Sequence, residues 1–317
     1  MTLRTDIYPA DRVTLREVGL RDGLQLAKAL PSTDAKIDWL TQEAAAGVRH
    51  YEVGSFLPAG RFPQFADVRQ MIETAQALDL HSAALTLNER GAEAALASGV
   101  REMVCVVSAT EDHSRANMRR SRAAAVDLVA DIVAMRDAQA PDKLVNAGIA
   151  MALGCSLSGD VDPAEVLRLA EACLEAGADI VGLADTVGYA GPRAVGALCA
   201  GMEKLCGDRP FIIHLHDTRG MGVANVAAAL DNGARVIDAS LGGLGGCPFA
   251  PGATGNVVFE DVVFLAESMG FRTGIDLEKL TDVRRIAEEA MPGEAFHGAL
   301  HRAGPPVNAT WQAAPAA

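Results

Sequence analysis

The feature that most constrains this chain is the regular return of short apolar segments separated by amphipathic stretches long enough for one helix. The apolar segments are Val13–Val18, Val48–Val53, Ala83–Leu87, Met103–Val107, Asn146–Ala152, Ile180–Ala184, Phe211–His216 and Val236–Ser240. Between them lie Ala- and Leu-rich stretches with helical spacing, such as Thr33–Ala46, Ser121–Ala138, Pro163–Ala176 and Val223–Asn232. Several end in glycine, at Gly47, Gly99, Gly177 and Gly233, the residue that most readily closes a helix. No hairpin-type turn joins two apolar segments, so the strands are predicted to run parallel under a cover of helices. This number of β-α units in one chain predicts an α/β fold of the (β/α)8 TIM-barrel type. The alternative is a doubly wound open sheet. It calls for a Gly-rich phosphate turn after an early strand, and no G-x-G-x-x-G stands there. The barrel is expected over residues 1–275 and a helical extension over 276–302, with a helix at Asp276–Glu289. The Pro/Ala-rich end, 303–317, is expected to be a disordered tail.

Charge narrows the partners. The net charge of −13 disfavours broad binding to nucleic acid or to an anionic membrane. The first residues hold no apolar run, and no stretch is long and apolar enough to span a bilayer, so a cytoplasmic protein is expected. The cysteines at 105, 155, 173, 199, 206 and 247 form no C-x-x-C and read as reduced thiols, all but Cys247 structural.

In such a barrel the chemistry gathers at the C-terminal ends of the strands. His214 and His216, at the end of the seventh segment, point to one side because strand side chains alternate. Two adjacent imidazoles suit a metal, whereas two hydrogen-bonded core histidines are the alternative. Arg21 and Asp22 follow the first segment, Glu52 ends the second, Asp185 follows the sixth, and Asn256 follows the Gly-rich loop after the eighth. Barrel closure makes strands 7, 8 and 1 neighbours, so Asp22, His214, His216 and Asn256 can converge. A mixed nitrogen and oxygen set of this kind leaves room for substrate, as a catalytic metal site requires. Taken singly, Asp22 can instead cap a helix and Asn256 can be an N-cap. Cys247, in the Gly-rich loop, is a candidate proton donor or nucleophile. Arg21 is placed to hold an oxyanion, with a salt bridge to Glu260 as the alternative. Glu52 and Asp185 are candidates to share a proton or orient a water, or to support the barrel rim.

Three runs carry a family resemblance: REVGLRDGLQ at 16–25, HLHDT at 214–218 and GGLGGCPFAPGATGN at 242–256. They resemble the 3-hydroxy-3-methylglutaryl-CoA lyase family of metal-dependent TIM-barrel enzymes, over roughly residues 13–280, and the cysteine loop is the most specific of the three. The resemblance implies Asp22, His214, His216 and Asn256 as ligands of a divalent metal, Mg²⁺ or Mn²⁺, with Zn²⁺ not excluded. It implies Arg21 as the enolate-stabilising arginine, Cys247 as a general acid/base, a proton-transfer role for His214, and Glu52 and Asp185 as acidic site residues. The implied substrate is an acyl-CoA, the implied reaction carbon–carbon cleavage, and the expected assembly a homodimer. Synthases of the same superfamily usually carry a further C-terminal domain, so cleavage is expected rather than condensation. The chain departs from the family pattern at Leu57–Gln64, at Leu26 and Ala27, and at Ser156–Ser158. These lie on rim loops and bear on the acyl group, with citramalyl-CoA the alternative substrate. Arg115, Arg119 and Arg120 are candidates for the CoA phosphates, or else a solvated helix start.

Overall fold

A computed structural model of the chain describes residues 3–246 and 255–306. Eight parallel strands close into a barrel in chain order: β1 (Thr14–Glu17), β2 (His50–Ser55), β3 (His81–Leu85), β4 (Glu102–Ser108), β5 (Leu144–Ala150), β6 (Ile180–Asp185), β7 (Phe211–Leu215) and β8 (Val236–Ala239). β8 pairs with both β7 and β1. That closing pair makes the fold a TIM barrel rather than an open sheet.

β3, β4 and β5 begin one or two residues before their apolar segments. Their added residues include His81 and Glu102, which are buried in hydrogen bonds to each other. A polar residue satisfied inside a barrel does not register as apolar periodicity. The helices start where their caps stand. Ser32 accepts from Ala35 N, Ser121 from Ala124 N and Asp162 from Ala164 N, each satisfying a backbone donor in the first turn.

The barrel floor is closed by the N-terminal segment. Tyr8, just after the helix Leu3–Ile7, packs on Leu144, Ile180, Ile212 and Val236. Its hydroxyl donates to Glu102 Oε2 at 2.7 Å. The extension helix expected from Asp276 runs Leu277–Ala290 with Asp276 as its N-cap, and packs on the helices Thr33–Ala45 and Phe259–Ser268. A short helix, Ala299–Ala303, follows. From Val307 on, the expected disordered tail lies outside the described residues.

Arg284 of the extension helix reaches the buried Glu260 at 3.4 Å, and Glu260 also accepts from Gly242 N at 2.9 Å. Burial outweighs both partners and pushes Glu260 from 4.5 up to about 7. An acid whose native pKa is raised holds its proton in the fold while the unfolded chain releases it. Stability therefore falls as pH rises from about 4.5 to about 7 and levels off above, a loss on the order of 3 kcal/mol. Glu260→Gln keeps an acceptor for Gly242 N and removes this dependence. Its melting temperature relative to the parent should rise across that window. A difference that does not change with pH would mean Glu260 is ionised in the fold.

Candidate active site

The loop after β1 is one turn of π-helix, Gly19–Gly23, in which Leu24 N donates to Gly19 O at 2.9 Å. Single π turns recur at functional sites because they displace side chains from helical register. This one carries Arg21 and Asp22 to the barrel mouth. β7 brings His214, and the residue after it is His216. A backbone bridge between His216 and Asn256 ties in the end of the Gly-rich loop.

The four residues converge. His214 Nε2 and His216 Nε2 are 3.1 Å apart, and Asp22 Oδ2 is 3.9 Å from the first and 3.5 Å from the second. Asn256 donates its amide to Asp22 Oδ2 at 2.8 Å and to Leu244 O at 2.9 Å, while its Oδ1 is buried without a partner. Ligand bonds of about 2.1 Å give ligand–ligand edges of about 3.0–3.4 Å. The His214–His216 and Asp22–His216 separations lie close to that scale, the Asp22–His214 separation is wider at 3.9 Å, and the orphaned Asn256 oxygen supplies a further donor. The donor set fits a divalent cation. Neither cap alternative is realised: Val258 is the N-cap of the helix Phe259–Ser268, and the Asp22 carboxylate faces Arg21, Asn256 and the imidazoles.

Arg21 is fixed by two carboxylates, with Nη1 2.6 Å from Asp22 Oδ1 and Nη2 2.7 Å from Glu52 Oε2. Burial would lower its pKa, but Glu52 and Asp22 raise it. Burial would raise Asp22, yet Arg21 and the two imidazoles hold it well below the usual carboxylate range. Glu52 is raised by burial despite Arg21. Burial would lower His214, but its hydrogen bond to the Asp238 carboxylate and the charge of Asp22 lift it above its ordinary value. The salt bridge of Arg21 is thus made with Glu52, because Glu260 is engaged by Arg284. Asp185 accepts from Tyr189 N at 2.9 Å and Ala190 N at 3.0 Å, so it shapes the loop after β6. Burial raises its pKa.

Other expected features fall around this centre. Cys247 lies outside the described residues. The remaining cysteines are buried and unbridged. Gln64 donates to Gln25 O at 2.8 Å, which pins the loop after β2 to the loop after β1. Arg61 is exposed over the Phe62 ring. Arg115 lies within the helix Glu111–Met118, exposed and paired with Glu111, and Arg119 caps the end of that helix rather than its start. An open cavity of about 450 Å³ lies between the loops after β5, β6 and β7, lined by Leu153, Gly154, Asp160, Val161, Tyr189 and Arg219. None of the converging residues is among those lining it.

Residues 12–287 match the HMGL-like family. The chain belongs to that family. A hydroxymethylglutaryl-CoA lyase of Bacillus subtilis is 36% identical over 288 residues, 90% of this chain and 94% of that protein. An (R)-citramalyl-CoA lyase of Chloroflexus aurantiacus is 37% identical over 281 residues, 85% of this chain and 88% of that one. Among solved structures, an HMG-CoA lyase from Acinetobacter baumannii in complex with coenzyme A and 3-methylmalate superimposes with a TM-score of 0.85 at 34% identity, covering 95% of this chain and 98% of its own. The HMGL-like chain is therefore a lyase by kinship, with a TIM barrel shared across the whole family match.

Sequence reasoning missed Asp238 and Arg16 in this HMGL-like site. Arg16 stands inside one of the motif runs, and Asp238 interrupts an apolar strand. A charged residue in the middle of a buried strand was the available signal.

Proposed function

We propose that the chain is a divalent-metal-dependent carbon–carbon lyase that cleaves 3-hydroxy-3-methylglutaryl-CoA to acetyl-CoA and acetoacetate. The observation that carries this reading is the convergence of Asp22, His214 and His216 at the barrel mouth, with the Arg21 guanidinium fixed against Asp22. Relatedness to lyases named for that substrate, over most of both chains, supports it. Asp22, His214, His216 and Asn256 would hold Mg²⁺ or Mn²⁺, and the two imidazoles also suit Zn²⁺. When bound, such an ion acts as a Lewis acid that lowers the pKa of the tertiary hydroxyl.

The chain's own residues do the rest. His214 or Asp22 takes the hydroxyl proton. Asp22 is held well below the usual carboxylate range and is a weak base, whereas His214, whose Nδ1 faces Asp238, can take the proton only on Nε2 and only while that atom is not ligating the ion. As the C–C bond breaks, its electron pair moves onto the thioester carbonyl and gives the enolate of acetyl-CoA. Arg21, held in place by Glu52, is positioned to bind that charge. Cys247, or a water it controls, returns a proton to the enolate carbon. Cys247→Ala should then lower kcat by about 10²–10⁴-fold with little change in KM, because proton donation matters in the transition state. A loss under about tenfold in single-turnover assays would make Cys247 a packing residue.

The kinship to a citramalyl-CoA lyase supports a second reading, the same chemistry yielding acetyl-CoA and pyruvate. The two substrates differ by one methylene between the tertiary carbon and the carboxylate. Measuring kcat/KM for both decides between them. A higher value for 3-hydroxy-3-methylglutaryl-CoA is expected, and a preference for citramalyl-CoA by tenfold or more would replace the first reading with the second.

A further inference from the structure

We propose that Asp238 is a positioning residue that holds His214 in the Nδ1–H tautomer, so that Nε2 presents a lone pair to the metal position. The inference deepens the metal-site reading above and rests on it. Strand register makes the arrangement. Asp238 of β8 is the cross-strand partner of His214 of β7 on one side and of Arg16 of β1 on the other. Facing residues of neighbouring strands point the same way, so the three form one rung inside the barrel.

Asp238 Oδ2 lies 3.2 Å from His214 Nδ1, and its Oδ1 lies 3.2 Å from Arg16 Nε. The far end of Arg16 bonds Glu102 Oε1 at 3.1 Å. Glu102 is fastened in turn by Tyr8, His81 and Asn146 at 2.7, 2.9 and 2.8 Å. Arg16 is 2% exposed and Glu102 0%, so neither has water as an alternative partner. Arginine stays protonated and donates only, and an ionised carboxylate accepts only. Asp238 is ion-paired with Arg16 through Oδ1 and can only accept through Oδ2, so His214 Nδ1 must carry the hydrogen. In the neutral ring Nε2 is then bare, and Nε2 is the atom that faces His216 Nε2 and Asp22. Carboxylates that fix a ligating histidine in this way are worth about 10–100-fold in metal affinity. The competing role for Asp238 is purely structural, to neutralise a buried Arg16.

Long-range ¹H–¹⁵N spectra of metal-free wild-type protein labelled at histidine, at a pH where the imidazoles are neutral, read the tautomer directly. The His214 signals are assigned by their loss in His214→Gln. The Nδ1–H form is expected, and a dominant Nε2–H form overturns the proposal. In Asp238→Asn, Arg16 claims the amide oxygen and the amide NH₂ is left facing Nδ1, which forces Nε2–H. Mn²⁺ affinity by calorimetry should then fall by about 10–100-fold. A variant with lower thermal stability but unchanged Mn²⁺ affinity overturns the proposal in favour of the structural role. Should that variant fail to fold, the wild-type spectrum decides alone. Wild-type protein that binds no Mn²⁺ would defeat the metal-site reading, while the tautomer would still report on Asp238.

Discussion

His216→Ala is expected to lose divalent-metal binding and lyase activity together while the barrel stays folded. The imidazole is 3% exposed and contributes one of two nitrogens to the converging set, and its Nδ1 has no hydrogen-bond partner. Its removal therefore breaks no structural hydrogen bond beyond the site. The strands above and below it are held by the apolar core and by backbone pairing between β6, β7 and β8. Lewis-acid activation is worth several kcal/mol of transition-state stabilisation, so activity should fall on the order of 10³-fold or more. Calorimetric titration with Mn²⁺ and circular dichroism check the two halves. Unchanged metal affinity in a folded variant would remove His216 from the site.

Arg21→Lys is expected to be nearly as damaging although it keeps the charge. The guanidinium bridges two carboxylates at once, Nη1 to Asp22 and Nη2 to Glu52, and an ammonium cannot reproduce that fork. With the fork gone, Glu52 loses its partner and the cation loses its fixed place beside the developing enolate. Removing one such preorganised donor costs about 10²–10³-fold in kcat. Metal affinity should change far less, because Asp22, His214 and His216 stay in place. Pre-steady-state measurement of the cleavage step separates the two effects. Full activity in Arg21→Lys would show that only the charge matters there, and a collapse of metal affinity would show that Arg21 acts through Asp22.

How far the sequence could be read depended on which physical signal each residue carried. The strands were legible because their apolar runs are dense and regular, and the His214/His216 pair because period-2 alternation puts both side chains on one face. The convergence of Asp22 and Asn256 with them followed from barrel closure alone. The partner of Arg21 was not legible. Glu52 and Glu260 are both acidic and both follow the order of the fold, and only the three-dimensional engagement of Glu260 by Arg284 leaves Glu52 to Arg21. The π turn at Gly19–Gly23 has no composition signature distinct from an ordinary turn. Asp185 was legible as an acidic residue at a strand end, but the two backbone amides that donate to it depend on how the loop after β6 folds. The rung of Arg16, Asp238 and His214 depends on strand register, which fixes cross-strand neighbours and cannot be read from one strand at a time.

The most direct test of metal-dependent cleavage is product analysis of the purified full chain incubated with 3-hydroxy-3-methylglutaryl-CoA, after EDTA treatment and after Mg²⁺ or Mn²⁺ is restored. Acetyl-CoA and acetoacetate should form in equal amounts with the metal, stop with EDTA and resume on addition of the ion. Intact substrate under all conditions, or cleavage at the same rate in EDTA, would contradict a metal-dependent lyase acting on this thioester.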